Sequence, residues 1–272
     1  MLLFSYLLGG EALYSSDKMI VHRLSADIPY VNIYPIADAH IGSAEFDENL
    51  FRTWIDIVMS DSLGYVVMAG DMLNNGIKSS KTNVYEEVMR PRDQKEYLYE
   101  SLRPIAEAGK ILCANGGNHC YRNVREVDND PLYDVMCWWR IGHLYRQDAC
   151  YMKLSLGKTI KNHNKPVVYG VVTVHGATQN KHDKWAAGVD GADVIISGHT
   201  HTPDYKPRSK IKLDLRNDKV ILAPYRQVVC PPFTKYGGYA QRAEYQPFAC
   251  TEIQRLKLYG SRKRIAFTAE EV

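Results

Sequence analysis

The sequence predicts an α/β fold built as one large domain over residues 1–272. The chain has 272 residues, of which 45% are hydrophobic, and this is enough to fill a full core. Short apolar runs rich in Val and Ile alternate with longer amphipathic segments, which is typical of strands joined by helices. Nearly every run ends at a short motif that contains His, Asp or Asn.

Five apolar runs are expected to form strands that are buried on both faces, because continuous Val and Ile runs beside glycine are typical of such strands. They cover residues 29–37, 64–70, 111–114, 167–174 and 193–197. Residues 1–18 are expected to be an N-terminal extension ahead of the domain.

Three helices are expected between the strands. Residues 47–60 place an apolar stripe on one side, with Asp47 as the cap. Residues 92–108 end before Gly109, and Pro104 is expected to kink or divide that helix. Residues 131–143 open on Pro131, which favours the first turn of a helix.

The charge and cysteine content restrict the class of protein. A net charge of +3 is too small to indicate a polyanionic partner. The basic residues at 206–219 and 262–264 could contact phosphates or could form a solvated face. Six cysteines without a C-x-x-C pair predict reduced thiols and no disulfide. With no secretion signal and no bilayer-length apolar run, a cytoplasmic protein without membrane contact is expected.

Five short motifs follow the predicted strands and predict a metal site. They are Asp38-Ala39-His40, Gly70-Asp71, Gly117-Asn118-His119, His175 and Gly198-His199-Thr200-His201. Alone, Asp38-Ala39-His40 is more often a surface turn than a ligand pair, Gly70-Asp71 carries almost no information, and His175 is more often a structural histidine. Together they fall where ligands bind in open α/β sheets, beyond the carboxyl ends of strands. Because i and i+2 side chains of an extended chain point the same way, Asp38 and His40 are expected to bind one ion together, and the rings of His199 and His201 are expected to lie on one side of the chain. Mixed nitrogen and oxygen ligands favour manganese, iron, zinc, cobalt or nickel.

The motif series resembles that of the calcineurin-like metallophosphoesterases, D-x-H, G-D-x-x-[DN], G-N-H-[DE], H and G-H-x-H, over about residues 29–202. The resemblance implies a four-layer α/β/β/α sandwich with two mixed β-sheets, completed by strands in residues 203–272. It also implies two divalent metal ions, with manganese expected first. Asp38, His40, Asp71 and His201 would hold one ion, and Asp71, Asn118, His175 and His199 the other.

In this family a hydroxide that bridges the two ions attacks the phosphorus in line, and His119 would act beside them as proton donor or transition-state stabiliser. Two positions depart from the pattern. Cys120 stands where the family commonly has Asp or Glu, so His119 lacks its local acidic partner, and Asp128 and Asp130 are nearby acids in the sequence. Asn74-Asn75 and Gly116 stand where protein phosphatases of the superfamily carry Asp-Arg and Arg, which argues against a protein phosphatase.

The substrate is expected to be a phosphodiester in a nucleic acid or nucleotide, since the G-D-x-x-N pattern ending at Asn74 is closer to nuclease and phosphodiesterase members. Residues 236–258 are also similar to the closing segment of phage and prophage-type nucleases. Lys181, His182, Lys184 and Trp185 could bind a phosphate and stack a base, or could lie in a solvated loop. Tyr236, Tyr239 and Tyr245 could line a groove or belong to the core. A cyclic or signalling nucleotide phosphodiesterase, a phosphomonoesterase and a non-catalytic metal-binding scaffold are the alternatives.

Overall fold

A computed structural model describes residues 19–78, 80, 84–159, 163–242, 244, 247 and 250–272 of the chain. The predicted extension over residues 1–18 lies outside these residues, and so do Tyr245 and the side chain of Tyr239.

Two six-stranded mixed sheets form the centre of the fold. The first sheet contains, in spatial order, β1 (Ile20–Arg23), β6 (Ala149–Thr159), β7 (Lys165–Val174), β8 (Val194–Ser197), β10 (Lys219–Val229) and β9 (Asp204–Asp214). The second contains β12 (Ile265–Glu271), β11 (Glu252–Tyr259), β2 (Tyr30–Ile36), β3 (Gly64–Ala69), β4 (Ile111–Asn115) and β5 (Tyr145–Arg146). Strands β3 and β4 contact β6 and β7, so the two sheets pack face to face over one apolar core.

Helices cover the outer faces of both sheets. The helices of the described chain are α1 (Glu48–Ser60), α2 (Pro91–Glu107), α3 (Asn118–Val127), α4 (Pro131–Trp138), α5 (Gln179–Gly188) and α6 (Gly238–Arg242), with 3-10 turns at Val84–Glu86 and Gly142–Leu144. Helix α1 packs on β3 and α2 packs on α1 and α4. On the other side, Ala186 of α5 is buried against Val172, Ile195 and Tyr225 of the first sheet. The four-layer α/β/β/α arrangement is therefore confirmed.

The first two predicted helices are present with nearly the expected bounds. Asp47 caps α1 by accepting a hydrogen bond from the Leu50 amide at 3.2 Å, and the helix buries Phe51 and Trp54 in the core. Helix α2 begins at Pro91, a position where the missing amide proton costs nothing. It continues through Pro104 to Glu107, so Pro104 does not divide it.

Three helical assignments from the sequence need correction. Helix α4 ends at Trp138 instead of residue 143, because the chain turns there through a left-handed Arg140 into a 3-10 turn. Helix α3 was not predicted. Residues 178–185 were considered as a loop, but Gln179–Gly188 is helix α5. All five predicted strands are present, as β2, β3, β4, β7 and β8.

The hairpin of β9 and β10 extends beyond the first sheet as a two-stranded ribbon. Only Arg226–Val229 of β10 pairs with β8, whereas β10 pairs with β9 along its whole length. The outer part of the ribbon carries aliphatic side chains on one face, and Ile211, Leu213, Val220 and Leu222 expose 62–73% of their surface.

No helix in the described part of the chain is long and apolar enough to cross a membrane. The six cysteines form no disulfide among the described residues.

Candidate metal centre

The seven predicted metal ligands meet at one rim of the sandwich. Each follows the carboxyl end of a strand: β2 leads to Asp38 and His40, β3 to Asp71, and β4, β7 and β8 to the other motifs. Because the strands that lead to the site run parallel to their sheet neighbours, their ends lie at the same edge. Five loops that are distant in sequence therefore supply one cluster of side chains.

The first group of ligand atoms comes from Asp38, His40 and His201. The Nε2 atoms of His40 and His201 lie 3.2 Å apart. Asp38 Oδ1 lies 3.8 Å from the first of these atoms and 3.4 Å from the second. One cation could be shared by all three side chains, since their ligand atoms lie within 4.8 Å of one another.

The second group is formed by Asp71, Asn118, His175 and His199. His175 Nε2 lies 2.9 Å from Asp71 Oδ2 and 3.0 Å from Asn118 Oδ1. His199 approaches with Nδ1, which lies 2.9 Å from Asn118 Oδ1 and 3.2 Å from His175 Nε2. Asp71 also lies within ligand distance of His40, so it stands between the two groups as a bridging carboxylate would.

The loops reach this geometry through a backbone that the sequence did not reveal. Five of the seven predicted ligands have positive φ angles: Asp38, His40, Asp71, His199 and His201. Residues other than glycine rarely adopt this region, and such strain concentrates at functional sites. Asp38 and His40 do share one cation group, but the reason given by extended i, i+2 spacing is wrong. A side chain at Gly198 would place its Cβ 2.3 Å from Asp38 Oδ2, so only glycine fits there.

Opposite charges at close range set the protonation of the buried groups. Burial alone would raise the pKa of Asp38, but His201, His40 and His175 hold it well below its usual range. Burial would also raise the pKa of Asp71, but His175, His119 and His40 lower it below its usual range. Burial disfavours the charged form of His175, yet Asp71 and Asp38 raise its pKa to about 9. The protein alone therefore holds two carboxylates and a proton where cations would sit.

Two features of the cluster fit a metal better than a hydrogen-bonded protein core. Asp38 Oδ1 is fully buried and accepts no hydrogen bond from any described residue, although such atoms are normally satisfied. Imidazole nitrogens also face each other at 3.2 Å in both groups, and two lone pairs at that distance repel unless a proton or cation lies between them. The donor set of carboxylate, amide and imidazole suits a divalent transition metal.

His119 lies beside both groups on the first turn of α3. Its Nδ1–H donates to the Asn74 main-chain carbonyl at 2.5 Å, so Nε2 faces the cluster, 3.8 Å from Asp71 Oδ2. Its backbone amide donates to Asp71 Oδ1 at 3.0 Å. Burial lowers the pKa of His119 to about 4, although Asp71 opposes this. His40, Asp71 and His119 also form a third group that could hold an ion, so the geometry permits either role for His119.

The acidic partner that Cys120 does not provide is replaced by a main-chain oxygen. Cys120 points into the core, and burial raises the pKa of its thiol well above the usual range. Asp130 caps α4 and accepts from the Tyr145 hydroxyl, and Asp128 is an exposed C-cap of α3. Arg122 also binds the Asn74 carbonyl, since its Nη2 donates to the carbonyls of Asn74 and Asn75 at 3.1 Å each. The sequence did not identify Arg122.

The predicted substrate residues lie in two different settings. Asn74 is buried, and its amide is used inside the protein, with Oδ1 3.3 Å from His40 Nδ1 and Nδ2 3.0 Å from Glu87 Oε1. The other four lie on α5: Lys181, His182, Lys184 and Trp185. His182 is buried and stacks on the partly exposed Trp185, with ring centroids 6.1 Å apart, whereas both lysines are exposed. Among the described contacts, none joins these four side chains to the metal ligands.

Members of both basic clusters pair with acidic side chains of the protein. Lys206 and Arg208 pair with Asp183 of α5 at 3.9 and 3.4 Å. Lys263, in the turn between β11 and β12, pairs with Asp193 at 2.8 Å. These contacts favour the interpretation of both clusters as charged protein surface. Tyr236 is partly exposed, at 36%.

Solved structures that align with most of this chain include the following three. Vps29 of Entamoeba histolytica in complex with zinc aligns at TM-score 0.38 and 11% identity, over 89% of this chain and 99% of that one. The calcineurin-like phosphoesterase YfkN of Bacillus subtilis aligns at TM-score 0.38 and 12% identity, over 89% and 90%. The NAD nucleotidase NadN of Haemophilus influenzae aligns at TM-score 0.40 and 11% identity, over 89% of this chain and 50% of that one. No protein-family model and no curated protein matches the sequence. Likeness at this level assigns no activity, which must be argued from the site.

Proposed function

We propose that this chain is a metal-dependent phosphoesterase that hydrolyses phosphodiester bonds in nucleic acids or nucleotides. The observation that carries the proposal is the convergence of Asp38, His40, Asp71, Asn118, His175, His199 and His201 on two adjoining ligand groups with Asp71 between them. Two divalent ions, Mn2+ first among the transition metals, would supply Lewis acidity towards the phosphate and activate the attacking water. The order of these residues in the sequence is the order of the metallophosphoesterase motifs.

The protein's own groups have separate roles in this proposal. Asp71 and Asp38 provide the negative charge that retains the cations at the rim. His119 presents Nε2 towards the cluster while its Nδ1–H is held by the Asn74 carbonyl. A pKa near 4 leaves His119 neutral at pH 7, so the negative charge of a bound phosphate must raise that pKa before His119 can donate a proton to the leaving oxygen.

The first test is a substrate panel with metal-free and metal-loaded protein. Single- and double-stranded DNA, RNA, cyclic nucleotides, bis-para-nitrophenyl phosphate and para-nitrophenyl phosphate are each incubated with Mn2+ or with EDTA. We expect the wild type to cleave the diesters with Mn2+ and not with EDTA. Asp71→Asn should abolish this cleavage. Asp56→Asn, which changes an exposed carboxylate on α1, should retain it. Cleavage of the monoester alone would make the protein a phosphomonoesterase. Inactivity on every substrate with Mn, Fe, Zn, Co and Ni would favour a scaffold.

The role of His119 is tested separately from metal binding. His119 is assigned as a proton donor that binds neither metal. His119→Ala should therefore lower turnover about 10²- to 10⁴-fold, the contribution that a positioned acid typically makes. The metal content, measured by elemental analysis, should stay that of the wild type. If His119→Ala also lost metal, His119 would be a ligand, as the third ligand group allows.

A further inference from the structure

A chain of hydrogen bonds leads from the half-buried Glu87 through the buried Asn74 to the predicted ligand His40. Glu87 follows the 3-10 turn Val84–Glu86 and belongs to none of the five motifs. Its Oε1 accepts from Asn74 Nδ2 at 3.0 Å. The other end of the same amide, Asn74 Oδ1, lies 3.3 Å from His40 Nδ1. Glu87 thus reaches the metal site through one intervening side chain.

This chain has only one consistent arrangement of hydrogens. An ionised carboxylate can only accept, so it must face the NH2 group of Asn74. The Asn74 carbonyl oxygen then faces His40, and the contact requires a proton on His40 Nδ1. A neutral imidazole protonated at Nδ1 has its lone pair on Nε2. That atom lies 3.2 Å from His201 Nε2 and 3.8 Å from Asp38 Oδ1, inside the first ligand group.

Glu87 itself is held firmly in place. Its Oε2 accepts from Gln94 Nε2 at 2.7 Å, and that same nitrogen donates to the Met89 carbonyl at 2.9 Å. Gln94 is fully buried, and its oxygen accepts the Asn75 amide at 2.7 Å. A Cβ at Gly76 would lie 1.7 Å from Glu87 Oε1, so only glycine allows this approach. Both oxygens of the carboxylate are therefore fixed by donors around it.

We infer that Glu87 is a positioning residue that fixes the Nδ1–H tautomer of His40 through Asn74 and so directs Nε2 of His40 to the metal. Hydrogen bonds of this kind to the second ring nitrogen orient histidine ligands in metal sites generally. The inference rests on the proposed function in one respect, the assignment of His40 as a ligand. The tautomer itself is a property of the metal-free protein.

The decisive experiment measures that tautomer without metal or substrate. Long-range 1H–15N spectra of the histidine rings are recorded in EDTA at pH 8.5, where an ordinary imidazole is neutral. We expect the Nδ1–H form of His40 in the wild type and a shift towards Nε2–H in Glu87→Gln. Glu86→Gln is the matched control, since exposed Glu86 pairs with Arg242 on the surface. An unchanged tautomer in Glu87→Gln, or an Nε2–H tautomer in the wild type, would overturn the inference.

A double variant separates this role from a general loss of packing. In Glu87→Gln with Asn74→Asp, the amide of residue 87 donates to the carboxylate of residue 74, which still accepts from His40. The hydrogen bond between residues 74 and 87 is thus reversed in direction, while residue 74 still accepts the hydrogen bond from His40 Nδ1–H. We expect the double variant to restore the Nδ1–H form, and failure to do so in a folded protein would contradict the inference.

Zn2+ affinity provides a second readout. Loss of a hydrogen bond behind a metal ligand typically weakens binding about 10- to 100-fold. We expect that loss in Glu87→Gln, recovery in the double variant and no change in Glu86→Gln. Equal Zn2+ affinity in Glu87→Gln and wild type would contradict the inference that Glu87 directs Nε2 of His40 to the metal. If the protein hydrolysed no phosphoester while the tautomer and affinity followed this pattern, the proposed function would fail and the positioning role would stand.

Discussion

At the scale of single residues, the contact between Asp71 and His175 sets the charge of the metal-free site. The two side chains are buried, and Asp71 Oδ2 lies 2.9 Å from His175 Nε2. Burial opposes a charged imidazole, but Asp71 and Asp38 raise the pKa of His175 to about 9. His175 therefore carries a proton at neutral pH, and a metal ion must displace that proton to bind.

This raised pKa predicts a pH dependence of the metal-free protein. An unfolded histidine has a pKa near 6.5, so the ion pair contributes fully below about pH 6.5 and its contribution is lost as the pH rises through about 9. In urea unfolding with EDTA, the stability advantage of wild type over His175→Asn should therefore shrink between pH 6.5 and 9.5. His143→Asn, at an exposed position, should show no such trend. A constant advantage for His175 would contradict the assigned ion pair.

Which residues meet at the candidate site could be predicted from the sequence, but their geometry could not. The motifs contain the residue types that bind transition metals. Asp38, Asn118 and His175 are recognised as candidate ligands only through the order of the motifs along the chain. The left-handed backbone at Asp38 and His40 is invisible in a sequence, because local propensity disfavours it and only the surrounding structure imposes it. Glu87 was missed for a related reason: it is a single acid in a segment without a pattern.

At the scale of secondary-structure elements, the strands were easier to predict than the helices. Strands β2, β3 and β8 are almost wholly buried, so their sequences are continuous apolar runs. Each ends at a polar motif, and this change in composition marks both the strand end and the site. The pattern is strong because one physical requirement, burial on both faces, acts on every residue of the run.

Helix α3 shows why a functional helix can escape detection. Its sequence is mostly polar, and only Cys120 and Asn123 are buried. Its N-cap, Gly117, provides no side-chain hydrogen bond, so the usual start signal is also absent. Had the helix been recognised, the i, i+3 spacing would have placed Arg122 on the same face as His119, where the structure has it. Because helix α3 was not predicted, the position of Arg122 beside His119 was not predicted either.

At the scale of the whole molecule, sheet order could not be derived from local patterns. Strand β11 is near the end of the chain, yet it pairs antiparallel with β2, and β12 pairs with β11 at the edge of the second sheet. No local pattern in residues 252–271 indicates such a distant pairing. The sequence analysis expected strands in residues 203–272 that complete the sandwich, but it named no partner strand for them. Long-range pairing is thus the part of the fold that local patterns leave open.

The β9 and β10 ribbon is the part of the molecule whose removal should cost the fold least. An isolated two-stranded ribbon is only marginally stable in water, and its outer aliphatic residues are not covered by the rest of the described chain. Residues 211–222 can be replaced by Asn-Gly, because Lys210 and Ala223 are direct cross-strand partners and this dipeptide favours a two-residue hairpin turn.

We expect the shortened protein to keep the thermal midpoint of the wild type within about 2 °C, as changes away from the core usually do. Zn2+ affinity should be unchanged, since the nearest predicted metal ligand in sequence, His201, precedes β9. Self-association at high concentration, followed by light scattering, should fall because large exposed apolar patches promote it. A midpoint lowered by more than about 5 °C would show that the ribbon packs against the domain and contributes to its core.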